Sequence, residues 1–158
     1  MFKLIGAVIV LLSSTLFGMS KYSRIFERQR CLYEIRDGSM RMENIIRCMN
    51  SPLHEAFLSG GSFFEDSAEK IKGGILPSEA VWETAQKMPL TKHDLSIIRR
   101  FSEGLCAEDS KGQIENMKLF IKELDGAIAS SVRELETRGK LYVKGSILVG
   151  AAFVLMII

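Results

Sequence analysis

Hydrophobic and polar positions divide the 158 residues of this chain into two apolar end segments and an amphipathic middle. No charged residue follows Lys144, and the 14 residues after it are apolar apart from Ser146. A helix that crosses a bilayer needs roughly 20 mostly apolar residues, and fewer where a flanking lysine reaches the interface. We therefore predict a C-terminal transmembrane segment over residues 141–158. A buried terminal core helix is the alternative.

The other end of the chain carries a second apolar run, from Leu4 to Met19, after the basic residue Lys3. A basic start, an apolar centre and small residues toward the end are also typical of a signal peptide. However, no cleavage site with small residues at the usual spacing follows the run. We therefore predict an uncleaved transmembrane segment over residues 1–20, with cleavage as the alternative.

The basic residues beside the two apolar segments predict their orientation in a membrane. Positive charge accumulates on the cytoplasmic side of membrane proteins. The flanking cations on the inner sides of the two segments are Lys21, Arg24, Arg28 and Arg30, and then Arg133, Arg138 and Lys140. Both segments therefore predict a cytoplasmic domain over residues 21–140, with the two ends of the chain outside.

Two long amphipathic helices are predicted next to the apolar segments. From Lys21 to Asn50 the apolar positions follow a heptad pattern typical of a helix that packs along another helix. They are Ile25, Leu32, Ile35, Met42, Ile46 and Met49, with Arg28 and Ser39 in the gaps. The second long helix starts near Gln113 and is expected to continue into the C-terminal apolar segment. Its apolar stripe is Ile114, Met117, Ile121, Leu124, Ile128, Val132 and Leu135.

Shorter helices between these two are separated by proline and glycine residues. The breakers are Pro52, Gly60-Gly61, Gly73-Gly74, Pro77 and Pro89. Two stretches, Ser62–Glu65 and Ser110–Gln113, match the capping-box pattern for the start of a helix. Trp82, the only tryptophan, is predicted to lie in the core. The sequence therefore predicts an all-α fold: a compact multi-helix bundle flanked by N- and C-terminal transmembrane helices.

Composition and charge exclude several classes of function. The net charge of +2, from 21 basic and 19 acidic residues, gives no indication of nucleic-acid binding. The cysteines at 31, 48 and 106 are odd in number and lack metal-site spacing, so neither a disulfide framework nor a zinc site is expected. His54 and His93 have no second ligand at helical spacing. The unpaired cysteines agree with a reducing compartment.

The motifs of common catalytic sites are absent from the sequence. There is no phosphate-binding loop, no G-x-S-x-G and no H-E-x-x-H. The acidic clusters Glu65, Asp66 and Glu69, and Glu108 with Asp109, are near predicted helix starts, where negative charge is stabilising without any catalytic role. We therefore predict no catalytic, cofactor-binding or metal-binding residue and no enzymatic activity. Small residues at Gly145, Gly150 and Ala151 suggest only weakly that the last segment packs against another helix.

Four stretches, in order and at their spacing, resemble the stage III sporulation protein AB family of endospore-forming bacteria. They are Lys3-Leu4-Ile5-Gly6-Ala7, Glu79-Ala80-Val81-Trp82, Leu95 to Asp109 leading to Gln113, and Gly139-Lys140-Leu141-Tyr142-Val143-Lys144-Gly145. The resemblance spans essentially the whole chain. The stretch Gly104-Leu105-Cys106 departs from the Leu-Gly turn expected in the family.

The resemblance implies a specific function. Members of the family resemble the cytoplasmic domains of type II secretion F proteins, which are helical bundles of an inner-membrane platform. They belong to a channel complex between mother cell and forespore, whose AA member is a secretion-type ATPase. The resemblance therefore implies a location in the mother-cell membrane facing the forespore. The partners implied by the resemblance are that ATPase and other channel membrane proteins. The apolar segments predict the lipid membrane as a further partner, and association with further copies of the chain stays open.

Two other readings of the sequence remain open at this stage. Cleavage of the first apolar run would produce a surface-tethered helical binding module. A membrane enzyme would require Glu65, Asp66 or Glu69 in a pocket that perturbs a carboxylate.

Overall fold

A computed structural model of the chain describes residues 2–49, 53–105 and 110–157, and every element in these ranges is helical. The seven α-helices, in chain order, are α1 (Phe2–Met49), α2 (Leu53–Leu58), α3 (Ser62–Lys72), α4 (Pro77–Gln86), α5 (Lys92–Gly104), α6 (Ser110–Glu134) and α7 (Lys140–Ile157). A π-helical turn, Leu135–Gly139, joins α6 to α7. The all-α fold predicted from the sequence is confirmed.

The first helix is longer than its predicted amphipathic part, because α1 runs without interruption from the apolar segment to Met49. Its predicted apolar seam is buried at Leu32, Ile35, Met42 and Ile46. Arg28 and Ser39, the two polar residues in the gaps of the seam, are buried as well. The Ser39 hydroxyl donates to the carbonyl oxygen of Ile35, one turn earlier, which gives this buried hydroxyl a partner.

The turn between α2 and α3 lies directly against α1. A Cβ atom added to Gly38 would overlap the carbonyl group of Gly60 and lie 3.1 Å from the Phe64 ring. Arg41 donates to the carbonyl oxygens of Ser59 and Gly60 at 3.0 and 3.1 Å, at the end of α2. Gly38 therefore permits a close approach, and the cation next to it satisfies carbonyl groups that the end of α2 leaves open.

The capping box predicted at Ser62 is wrong. Gly61 is the N-cap of α3, with φ of 91°, and no side chain caps this helix. Ser62 is already helical, and its hydroxyl donates to the Glu34 carboxylate of α1. A glycine at positive φ turns the chain into the helix here, so the serine is available for a contact with another helix. The side chain of Ser110, in the second predicted box, is outside the described residues.

A capping box does occur at the start of α5. Thr91 accepts a hydrogen bond from the backbone N–H of Asp94, and the Asp94 carboxylate accepts one from the backbone N–H of Thr91 at 2.9 Å. At the start of α4, Pro77 takes the first helical position, where its missing N–H costs nothing. Both helix starts agree with the predicted breakers.

The predicted continuation of the second long helix into the C-terminal apolar segment is confirmed. From Lys111 to Met156 the chain forms one helix, with the π-helical turn inside it. The buried face of α6 includes Met117, Leu124 and Ile128 from the predicted stripe. Phe120 and Ala127 are also buried there, so the apolar face is wider than the stripe.

The chain divides into two compact units. The paired-helix unit consists of Met1–Glu27 and Ser130–Ile158, and the bundle unit is Arg28–Ala129. These limits follow contacts within the chain, whereas the limits 20/21 and 140/141 predicted from the sequence concern the membrane and stay a prediction. Both α1 and α6 contribute residues to each unit.

Aromatic side chains form the centre of the bundle unit. Phe64 makes edge-to-face contacts with Phe57, Phe63 and Phe101, at centroid distances of 5.4, 4.8 and 6.5 Å. The Phe101 ring stacks on Phe120 of α6 at 4.0 Å. Such contacts add to the hydrophobic gain of burying the rings. The aromatic cluster therefore joins α2, α3, α5 and α6 into one core.

Candidate functional site

Within the paired-helix unit, α1 and α7 approach each other closely through small residues. The Ser14 hydroxyl donates to the carbonyl oxygen of Ser146. A Cβ atom at Gly18 would overlap the Ser146 side chain and lie 2.9 Å from the carbonyl oxygen of Tyr142. At Gly150 it would lie 3.1 Å from the Cβ atom of Ser14. Small residues at such contacts let helix backbones pack closely in an apolar environment, where the hydrophobic effect does not hold helices together.

The small residues considered from the sequence have different roles in this contact. Gly150 faces Ser14, as a packing position should. A Cβ atom on Gly145, by contrast, would meet no neighbour within 4 Å. The positions on α1 that complete the contact, Ser14 and Gly18, were not singled out from the sequence. Their small size was a signal, but a serine or glycine in an apolar run does not show which helix it faces.

The outer surfaces of the two helices are apolar. Leu148, Leu155 and Met156 of α7 are 70%, 79% and 86% exposed, and Leu16 and Phe17 of α1 are 65% and 64% exposed. Among the described residues, one helix, Lys111–Met156, is long and apolar enough to cross a membrane; its most apolar 18-residue window has mean hydropathy 1.4 and is 11% buried. This result rests on length and composition. Residues 141–156 of the predicted C-terminal segment fall within this helix, and the N-terminal segment stays a prediction.

A buried ion pair joins α1 to the start of α5 in the bundle unit. The Arg28 guanidinium donates to both oxygens of the Asp94 carboxylate, with Nε–Oδ2 at 2.7 Å and Nη2–Oδ1 at 3.0 Å. The Asp94 side chain is fully buried and that of Arg28 is 9% exposed. Burial by itself raises the pKa of the Asp94 carboxyl, but hydrogen bonds from Arg28 and Thr91 outweigh it and hold this pKa below its ordinary value. The carboxylate is therefore charged at neutral pH and anchors α1 to α5.

The acidic cluster considered from the sequence does not form an enclosed site. Glu65, Asp66 and Glu69 are all exposed on α3. Asp66 and Glu69 line an open cleft of about 560 Å³ between α3 and α4, together with Lys70 and other residues. Lys70 forms an ion pair with Glu83 at 3.3 Å. Glu108 and Asp109 are outside the described residues.

Trp82 and two of the cysteines considered from the sequence have ordinary structural surroundings rather than a site. Trp82 is half-buried rather than a core residue, because its ring is at the surface of α4 with the Arg99 guanidinium 5.3 Å from its centroid. Cys31 and Cys48 are thiols outside any disulfide. In the part of the chain that the structure describes, no three His, Cys, Asp or Glu residues are grouped to hold a metal ion.

Comparison with known proteins places this arrangement in a family. The model of the stage III sporulation protein AB family matches residues 3–158. The chain belongs to this family. Stage III sporulation protein AB of Bacillus subtilis (strain 168) is 22% identical to it in an alignment over 170 residues, gaps included, and the alignment covers 99% of each chain. A solved structure of a stage III sporulation protein AB has a TM-score of 0.60 and 21% identity, and the match covers 69% of this chain and 96% of that one.

Membership of the stage III sporulation protein AB family confirms the resemblance seen in the sequence. The solved structure shows that the helical-bundle fold is shared. The relatives are named as sporulation proteins, and their names state no enzymatic activity. In a family member of this kind, the surfaces described above are candidates for interaction with lipid and with other proteins.

Proposed function

We propose that the protein is a non-enzymatic platform component of a sporulation-specific, secretion-like channel between mother cell and forespore. It lies in the mother-cell membrane facing the forespore, with residues 21–140 in the cytoplasm. There it couples a cytoplasmic secretion-type ATPase to the membrane proteins of the channel. Two transmembrane helices, over residues 1–20 and 141–158, hold it in the membrane.

The observation that carries this proposal is the continuity of the helices. The helix α1 extends without a break from the N-terminal apolar segment to the buried seam. The helix from Lys111 to Met156 likewise runs without a break from the bundle into the C-terminal apolar segment. A helix keeps its backbone hydrogen bonds along its whole length. Two such helices are suited to transmit a movement between a cytoplasmic partner and the membrane.

The chemistry of the bundle supports a partner-binding role rather than catalysis. Its buried ion pair connects two helices, and its acidic cluster on α3 is exposed to solvent. Binding of a cytoplasmic ATPase requires an exposed folded surface, which the bundle unit provides. The energy for transport would come from the ATPase.

Protease accessibility in protoplasts of sporulating mother cells tests the topology. In intact protoplasts the bundle is expected to resist added protease, and it should be digested once the membrane is permeabilised. A known cytoplasmic protein and a known external domain in the same sample serve as controls. Digestion in intact protoplasts would place the bundle outside and contradict the proposal.

Co-purification tests the coupling to an ATPase. The full chain, tagged and extracted from membranes of sporulating cells, should retain the secretion-type ATPase of the complex. A tagged membrane protein unrelated to sporulation, expressed to the same level, controls for carry-over. Equal recovery of the ATPase with both tagged proteins would contradict the coupling role while leaving the membrane topology intact.

A further inference from the structure

The paired-helix unit contains an apolar groove that the contact between its helices leaves open. The groove has a volume of about 270 Å³. Its eight lining residues are uncharged: Ser14, Phe17 and Gly18 of α1, and Leu141, Tyr142, Gly145, Ser146 and Val149 of α7. Gly18 is a contact position, whereas Gly145 faces open space. The groove therefore exists because α7 has no side chain at Gly145.

Two cations are about one helical turn from the groove in the sequence, since Lys21 follows Gly18 by three positions and Arg138 precedes Leu141 by three. Lys21 is one turn beyond Phe17 on α1, and its Nζ atom is 5.5 Å from the centre of the Phe17 ring. Tyr22 packs against Gly139, with a ring carbon 3.1 Å from the position of an added Cβ atom. The residues that precede these two in the chain, Lys21 and Arg138, are therefore at the same level. Arg138 forms a long ion pair with Glu134, at 3.9 Å.

We propose that this groove binds one acyl chain of an anionic phospholipid, whose phosphate group is held by Lys21 and Arg138. The inference rests on the proposed membrane location of the two helices. An acyl chain gains little by moving from the bilayer into an apolar groove, because both environments are hydrocarbon. The two cations therefore determine the selectivity for the head group. Basic pockets between transmembrane helices at the cytoplasmic side are known to suit anionic lipids.

The charge of the site distinguishes lipid from another transmembrane helix as its occupant. A partner helix would place apolar side chains along the whole groove and would offer no anionic group to the cations at its end. A phospholipid matches both parts, since its acyl chain is apolar and its phosphate is anionic. Arg138 can also donate two hydrogen bonds to one phosphate.

Photo-crosslinking in nanodiscs tests the proposal on the full chain. The nanodiscs contain phosphatidylcholine and a trace of phosphatidylglycerol that carries a diazirine in one acyl chain. Mass spectrometry of the peptides is expected to show crosslinks concentrated at Phe17, Tyr142 and Val149. Diazirine-phosphatidylcholine should label these positions several-fold less.

Matched variants separate the head-group site from the groove. About 1 kcal/mol per basic residue corresponds to about fivefold in binding, so Lys21→Gln and Arg138→Gln should each reduce labelling about fivefold. Lys144→Gln is the charge control. It removes the same charge, but it is about 160° around α7 from Tyr142 and Ser146 and about 9 Å further along the helix axis than Arg138.

Gly145→Leu fills the groove and should abolish the concentrated labelling. Gly6→Leu is its control, because a Cβ atom at Gly6 also meets no neighbour within 4 Å and the position is outside the groove. Both changes raise helix propensity by the same amount, and each variant is checked for helicity and for resistance to carbonate extraction.

Several outcomes would overturn the lipid site. Equal labelling by the phosphatidylcholine probe, or unchanged labelling of Gly145→Leu, would exclude a selective groove. A disulfide-linked dimer of Gly145→Cys, in a chain that carries Cys31→Ser, Cys48→Ser and Cys106→Ser, would show that a second copy occupies the groove. If the parent chain itself is extracted by carbonate, the proposed membrane location fails. Unselective labelling of a chain that stays inserted contradicts the lipid site alone.

Discussion

Asp94 performs two structural tasks with one carboxylate. It accepts a hydrogen bond from the backbone of Thr91 at the start of α5, and it forms the buried pair with Arg28 of α1. A charge taken out of water is tolerated only where other groups replace its hydration. Here the guanidinium, a hydroxyl and a backbone N–H do so. The start of α5 and the position of α1 are therefore fixed by the same group.

Asp94→Asn is expected to destabilise the bundle by about 3–5 kcal/mol, because it leaves the Arg28 cation buried without its counter-charge. The free energy of unfolding is measured by urea titration of the full chain in detergent, followed by Trp82 fluorescence. The control is Asp125→Asn, which removes an ion pair with Arg36. The Asp125 side chain is 52% exposed. Exposed pairs contribute about 0–1 kcal/mol. Equal losses in the two variants would contradict a structural role for the buried pair.

The same carboxylate predicts a dependence of stability on pH. Its pKa is lower in the folded protein than its ordinary value of 3.8, so below that value the unfolded chain binds more protons than the folded one. The stabilisation by Asp94 is therefore complete above about pH 4 and is lost as the pH falls through the folded pKa. The free energy of unfolding of Asp94→Asn should decrease less than that of the parent between pH 5 and pH 2.5 (about the range in which a carboxyl titrates). Parallel curves would show that Asp94 titrates normally.

The sequence puts Arg28 and Ser39 in the gaps of the seam of α1, but it does not identify the partner of Arg28. The heptad pattern places both polar residues in the apolar seam of α1, because periodicity determines which face of a helix is buried. The partner Asp94 is 66 residues away in the chain, and no local pattern connects the two. For Ser62 the local pattern was misleading, because Gly61 and its positive φ start the helix instead.

At the scale of the elements, Gly38 shows how packing overrides helix propensity. Replacement of a mid-helix glycine by alanine ordinarily stabilises a helix by about 0.5–1 kcal/mol. At Gly38 the new methyl group would overlap the carbonyl of Gly60 in the turn before α3. A backbone carbonyl cannot move aside without moving the turn and the aromatic cluster behind it.

Gly38→Ala is therefore expected to lower the free energy of unfolding by about 1–3 kcal/mol, as overpacking of a close contact does. Gly126→Ala is the matched control, since a Cβ atom there meets nothing within 4 Å, and it should stabilise by about 0.5–1 kcal/mol. Urea midpoints of the full chain in detergent measure both. A gain in stability for Gly38→Ala would show that α1 does not pack closely on this turn.

The order of the helices was accessible from the sequence, because prolines and glycines mark where helices end and apolar spacing marks which face is buried. The composition of the core was less accessible. Phe63 and Phe64 fall in a stretch that reads as a capping box, yet both rings are buried in the aromatic cluster. Adjacent residues of a helix point in directions about 100° apart, so a one-stripe pattern misses a helix that is covered on two sides.

At the scale of the whole molecule, the two ends of the chain, Met1–Glu27 and Ser130–Ile158, belong to one compact unit. The sequence predicts two apolar segments, but the contacts between them depend on single small residues such as Ser14 and Gly18. These contacts bring the backbones of α1 and α7 close together. The groove beside Gly145 arises because this glycine of α7, unlike Gly150, does not contact α1 and therefore leaves space between the helices.

The two proposed membrane anchors lead to a specific expectation for deletions. An inserted helix of about 20 apolar residues holds a protein in a membrane almost irreversibly, so one anchor should suffice. Deletion of residues 145–158, or of residues 2–20, should therefore leave the protein in the membrane pellet after carbonate extraction, and only the double deletion should release it. The amount of protein in pellet and supernatant is measured by immunoblotting, with a single-span membrane protein as the control.

Release by deletion of residues 145–158 alone would mean that residues 2–20 do not anchor the chain. Because the helix from Lys111 to Met156 is the one that length and composition support most directly, that outcome would leave a protein attached by its last helix, with α1 packed on it through Ser14 and Gly18 rather than anchored independently.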